Sequence, residues 1–144
     1  MRSEVDIGKV IGGRKALAEK LSDPDRLRGL LITGFPYAPF DSILKRLRLT
    51  RAQVGAALAL PERTLARRKK EGKFQPLESE RIYRFLQVAA HAIDVIRDDE
   101  KAGRWLTKSN RALMNKTPLD LLDTSIGHLK VDEILGRIEY GMYS

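Results

Sequence analysis

Between Pro76 and Ile96, the residues Ile82, Phe85, Leu86, Ala89, Ile93 and Ile96 recur at steps of three and four, with Glu78 and Glu80 in the first turn. This is the pattern of a long amphipathic helix whose leading carboxylates meet the positive end of its dipole. A helix with one apolar face must bury that face against other elements. The segment is therefore expected to be a structural spine, with the other elements packed around it.

Those other elements also read as helices. Ile7 to Leu21 and Pro24 to Ile32 form two short amphipathic stretches separated at Ser22-Asp23-Pro24, where Asp23 caps and Pro24 opens the second, and Gly34 ends it. Phe35-Pro36-Tyr37-Ala38-Pro39-Phe40 cannot be helical throughout, because each proline restricts its neighbour. It is expected to be a connector whose aromatics pack. Asp41 to about Leu47 resumes helical spacing through Ile43, Leu44 and Leu47. Gly12-Gly13-Arg14-Lys15 lacks the spacing and the preceding strand of a phosphate loop. The fold class is all-α.

From Leu49 to Gly72 the pattern is helix, short turn, helix. Thr50 is placed as a cap, Val54 and Leu58 as the inner face, and Gly55 where two crossing helices approach closely. Ala59-Leu60-Pro61 forms the turn; Pro61 suits a first helical position and Glu62 the positive dipole end. With Leu65 as the buried anchor, the second helix presents a basic exterior, since residues 63–73 carry six Lys and Arg against Glu71. A helix fits the major groove, where arginine bonds guanine through two parallel hydrogen bonds, while lysines neutralise phosphates. Arg63 and Arg67 are the expected base readers. Arg68, Lys69, Lys70 and Lys73 are expected on phosphates, with Arg51, Arg46 and Arg48 beside the groove.

The charge distribution supports that division of labour. The formal charge is +8, yet residues 1–90 hold 19 basic against 10 acidic side chains, whereas residues 91–144 hold 8 against 9. The first part is the one suited to a polyanion. The absence of cysteine excludes disulfides and thiolate metal sites, and no apolar run suggests a leader or membrane span, so a cytoplasmic location is expected. His91 and His128 have no second histidine or cysteine at ligand spacing, and no nucleophile with its base can be assembled. No enzyme activity, cofactor or metal is expected.

Asp98-Asp99-Glu100 marks the change in composition. Beyond it, Trp105 and Leu106 form an apolar pair, Thr117-Pro118-Leu119-Asp120 opens a helix running through Leu122, and Gly127 separates that helix from the next. In the last helix Val131, Ile134, Leu135 and Ile138 form the buried stripe, and Gly141 is placed as the left-handed closing residue. Met142, Tyr143 and Ser144 follow. Tyrosine supplies rigid contact area at modest entropic cost, so this aromatic tail is expected to enter a partner.

Trp105-Leu106, Asn110-Arg111-Ala112-Leu113, Thr117-Pro118-Leu119, Leu122 and Gly136-Arg137-Ile138-Glu139-Tyr140-Gly141 together resemble the toxin-binding half of the Xre/MbcA/ParS antitoxin family. The resemblance covers about the last third of the chain. It implies an antitoxin that blocks the active site of a RES-domain toxin, an NAD-consuming enzyme, and that represses its own operon by binding operator DNA as a dimer or larger assembly. Carried onto this sequence, it makes Arg137, Glu139, Tyr140, Gly141, Met142, Tyr143 and Ser144 the toxin-binding set, with the Ser144 carboxylate placed to meet phosphate-holding arginines. The expected organisation is an N-terminal helical segment at 1–40, an Xre-like helix-turn-helix domain at 41–97 and a toxin-binding domain at 98–144. The competing reading is a stand-alone helix-turn-helix regulator with a sensing C-terminal half. A co-transcribed reading frame for a RES-type toxin distinguishes the two.

Overall fold

The computed structural model describes residues 21–141. The expected helix from Ile7 to Leu21, the Gly12 to Lys15 motif and the tail residues Met142, Tyr143 and Ser144 lie outside the described residues, apart from Leu21 itself. The described chain is all helical in its regular structure: α1 (Pro24–Thr33), α2 (Ala38–Leu47), α3 (Arg51–Ala57), α4 (Glu62–Glu71), α5 (Pro76–Ile96), α6 (Asp99–Thr107), two 3-10 turns (Arg111–Leu113 and Leu119–Asp123) and α7 (Ser125–Glu139).

The long helix α5 is the spine. Ile82, Phe85, Leu86, Ala89 and Ile93 are buried as their spacing requires, and Val88, Ala90 and Ala92 are buried as well. Burial on more than one side follows from its position: α1 and α2 lie along its first half, and α6 and α7 along its second. Its start is secured by Glu78, whose Oε1 accepts from Gln75 N–H at 2.9 Å.

The proline-bounded connector packs as an aromatic knot. Phe35, Tyr37, Phe40, Phe74 and Phe85 are buried, with ring centroids of successive neighbours 5.1–5.9 Å apart from Tyr37 through Phe85. Phe35 N–H donates to Ser79 Oγ at 2.8 Å, and Phe74 N–H donates to the Phe35 carbonyl at 2.8 Å. The strand-like connector is thereby held to the spine, and α2 starts at Ala38, three residues earlier than its apolar spacing indicated, because Pro39 fits the first turn.

Two local expectations are corrected. Gly127 does not separate two helices; it lies buried inside α7, where Thr124 caps by accepting from Gly127 N–H at 3.0 Å. A side chain there would collide with the Leu121 carbonyl, so the glycine serves close approach rather than a break. The helix expected after Thr117 is a 3-10 turn instead, although Thr117 Oγ1 does accept from Asp120 N–H at 3.0 Å.

One continuous core runs through both parts of the described chain. Gly103 of α6 sits directly on the Leu47 carbonyl at the end of α2, and α3 touches the 3-10 turn Leu119–Asp123. Asp98 caps α6 by accepting from Lys101 N–H at 2.9 Å. The acidic run at 98–100 is thus a helix start packed against the first half.

Candidate functional site

The helix-turn-helix is built by local chemistry. Thr50 Oγ1 accepts from Gln53 N–H at 3.1 Å while Gln53 Oε1 accepts from Thr50 N–H at 2.9 Å, a complete capping box. Gly55 is buried against the turn, where an added Cβ would lie 2.5 Å from the Leu60 carbonyl oxygen. Ala59 takes the left-handed conformation, φ 58°, at the position where glycine is usual. Pro61 is the cap of α4 with ψ 148°, one residue before the helical position its ring suggested, and the helix begins at Glu62. Leu65 is fully buried and fixes the rotation of α4.

That rotation decides which cations face solvent. Arg63, Arg67, Lys69, Lys70 and Lys73 are exposed, and Lys69 Nζ lies 3.3 Å from Asp41 Oδ2. Arg51 is half-buried beside Tyr37; burial raises the Tyr37 phenol pKa, against the positive charges of Arg51 and Lys69.

Arg68, expected on a phosphate, is turned inward and is only 9% exposed. Its Nε donates to Glu78 Oε1 at 2.7 Å, its Nη2 to Glu78 Oε2 at 3.0 Å and its Nη1 to Glu71 Oε1 at 2.9 Å. The fork geometry of guanidinium matches one carboxylate fully, so this arginine ties α4 to α5 instead of reading DNA. Arg46 and Arg48 are likewise engaged: Arg46 chelates Asp99 through two 3.1 Å contacts, and Arg48 lies 3.1 Å from Glu100. These two pairs clip α2 to the start of α6.

In the C-terminal half, Val131, Ile134, Leu135 and Gly136 bury one face of α7 against the spine. The polar edge of that contact is His91, 1% exposed, whose Nδ1 lies 2.7 Å from Asp132 Oδ1 and whose Nε2 lies 3.1 Å from Glu139 Oε1. Each ring nitrogen thus lies within hydrogen-bond distance of one carboxylate, and the imidazole bridges the two along α7. Glu139, expected on the partner-facing edge, is therefore corrected to an inward anchor of the last helical turn. The seven-residue spacing of Asp132 and Glu139 puts them two turns apart on one face, so both can reach the same side chain of the spine.

Arg137 and Tyr140 do face solvent. Arg137 Nη2 donates to Glu133 Oε1 at 2.8 Å, and Gly141 takes the left-handed conformation, φ 69°, with its N–H donating to the Ile138 carbonyl at 3.1 Å. Among the described residues no group of three or more His, Asp or Glu could hold a metal ion, and no helix is long and apolar enough to cross a membrane.

Comparison with known proteins matches two successive stretches of the chain. Residues 27–87 match the family described as the antitoxin Xre-like helix-turn-helix domain, and residues 91–141 match the antitoxin Xre/MbcA/ParS C-terminal toxin-binding domain. Antitoxin Xre of Yersinia enterocolitica is 37% identical over 113 residues, 77% of this chain and 76% of that protein. Antitoxin Xre of Photorhabdus laumondii is 34% identical over 125 residues, 85% of this chain and 84% of that protein. Antitoxin Xre of Pseudomonas putida is 36% identical over 85 residues, 57% of this chain and 52% of that protein.

Proposed function

The chain belongs to the Xre antitoxin family, with a helix-turn-helix half for DNA and a C-terminal half for a toxin, and from that premise we propose that it neutralises a RES-domain, NAD-consuming toxin by occlusion. In this reading α7 is a stem, Arg137 and Tyr140 contact the rim of the toxin's pocket, and Gly141, Met142, Tyr143 and Ser144 enter it. The observation that carries the reading is the split of α7. Its inner face and Glu139 are committed to the spine, while Arg137 and Tyr140 stand outward in the last turn, immediately before the aromatic tail. A rigid stem lowers the ordering cost of an inserted segment.

The same chain represses its own operon as a homodimer or larger assembly, with Arg63 and Arg67 on base edges and Lys69, Lys70, Lys73 and Arg51 on phosphates. It acts in the cytoplasm, by binding and not by catalysis.

The deciding experiment uses a chain lacking residues 142–144, which keeps the His91–Glu139 contact and therefore the stem. Co-expressed with a RES-type toxin that the full chain neutralises, this variant is expected to leave cells unprotected and their NAD depleted, while operator binding is retained. Full protection by the shortened chain would rule the tail mechanism out.

A further inference from the structure

The face of α7 opposite the spine carries more than its last turn. Ile126, Leu129, Lys130, Glu133, Arg137 and Tyr140 are all exposed, and at 100° per residue they fall within an arc of about 100°. Ile126 and Leu129 are 69% and 66% exposed, one turn apart, and the stripe from Ile126 to Tyr140 is about 21 Å long. Single exposed leucines are ordinary, but two large aliphatic side chains adjacent on one helix face and aligned with an exposed tyrosine make a surface. Folding does not require them, since the opposite face supplies the burial.

We propose that Ile126 and Leu129 form a second contact with the toxin, seating an apolar patch on the toxin's surface outside the pocket that the tail enters. This rests on the function proposed above. The partner's chemistry follows from the stripe itself. Glu133 and Arg137 neutralise each other at 2.8 Å, leaving Lys130 as the one formal charge without an opposite within the stripe, so the face suits an apolar protein surface and not a polyanion. The stripe is also continuous with the rim residues Arg137 and Tyr140, and it lies inside the part of the chain that matches the toxin-binding domain. The consequence is a division between grip and plug: the upstream patch supplies affinity, and the tail supplies inhibition.

The test measures the affinity of the full chain for purified RES-type toxin, with operator binding as the check on fold. The double variant Ile126→Glu, Leu129→Glu is expected to bind toxin at least tenfold more weakly with operator affinity unchanged, whereas Leu77→Glu, an exposed apolar residue at the start of α5, stays within twofold. The chain lacking residues 142–144 is expected to bind toxin yet fail to inhibit it. Toxin affinity of the double variant within twofold of wild type would overturn the proposal. So would loss of self-association with toxin affinity intact, because the stripe would then be covered by a second copy. Failure of the wild-type chain itself to bind the toxin would overturn the proposed function, and with it the partner assigned to this surface.

Discussion

Arg68 of the basic helix and Glu78 of the spine share two hydrogen bonds, Nε to Oε1 at 2.7 Å and Nη2 to Oε2 at 3.0 Å, with 11% and 13% of their side chains exposed. The pair ties the basic helix α4 to the helix on which the rest of the protein is built. It also removes one cation from the surface charge that the sequence displays.

Breaking this pair leaves a desolvated carboxylate without its counter-charge. Arg68→Met is expected to destabilise the protein by about 3 kcal/mol, the low end of the range for a buried pair because each side chain keeps some solvent contact. Burial alone would raise the Glu78 carboxyl pKa, but the Arg68 hydrogen bonds, the Gln75 backbone N–H and the charges of Arg68 and Arg81 hold it below the ordinary 4.5. A group depressed in the folded state contributes stability that is present above 4.5 and lost as pH falls through its folded value. Urea unfolding midpoints of wild type and variant are therefore expected to differ most near neutral pH and to converge in acid.

The basic helix gives a prediction in salt. Lys70→Ala with Lys73→Ala should reduce the slope of log affinity against log salt by about 2, close to one unit for each phosphate contact. Arg68→Met should leave that slope unchanged. Arg63→Ala with Arg67→Ala should weaken operator binding at least about tenfold and relax its sequence preference, since each bidentate arginine contributes about 1–3 kcal/mol of discrimination. Titrations at several salt concentrations with operator and scrambled DNA separate these outcomes.

His91 joins the spine to both Asp132 and Glu139, so its removal frees the last turn of α7 as well as two partly buried carboxylates. His91→Leu is expected to lower stability and to impair toxin neutralisation more than operator binding, whose proposed residues all lie outside α7. Equal losses in both activities would argue that the bridge serves global stability alone.

Gly103 tests the joint between the halves. Its Cα lies against the Leu47 carbonyl, where a methyl group has no space. Gly103→Ala is expected to cost about 1–3 kcal/mol, the range for overpacking, and to lower Tm. Gly72→Ala meets no neighbour, but its φ of 86° disfavours any side chain, so a smaller loss of about 1 kcal/mol is expected there.

Much of this protein follows from local rules acting on the chain alone. The spine is legible because Ile82, Phe85, Leu86, Ala89 and Ile93 repeat at helical spacing, and the capping box at Thr50 and Gln53 involves only neighbours in sequence. Leu65 and the left-handed Gly141 are legible for the same reason, and the charge asymmetry is read directly from the residues. Tertiary structure decides what depends on rotation and on distant partners. Arg68, Lys69, Lys70 and Lys73 read alike as phosphate contacts until Leu65 docks and turns Arg68, alone among them, toward Glu78. Gly127 reads as a break until the Leu121 carbonyl occupies the space a side chain would need. Glu139 reads as an edge residue until α7 packs on the spine and brings it to His91, 48 residues away. Periodicity and capping are properties of neighbours, so sequence carries them; which polar group is consumed inside the fold depends on helices meeting, and only the packed molecule settles it.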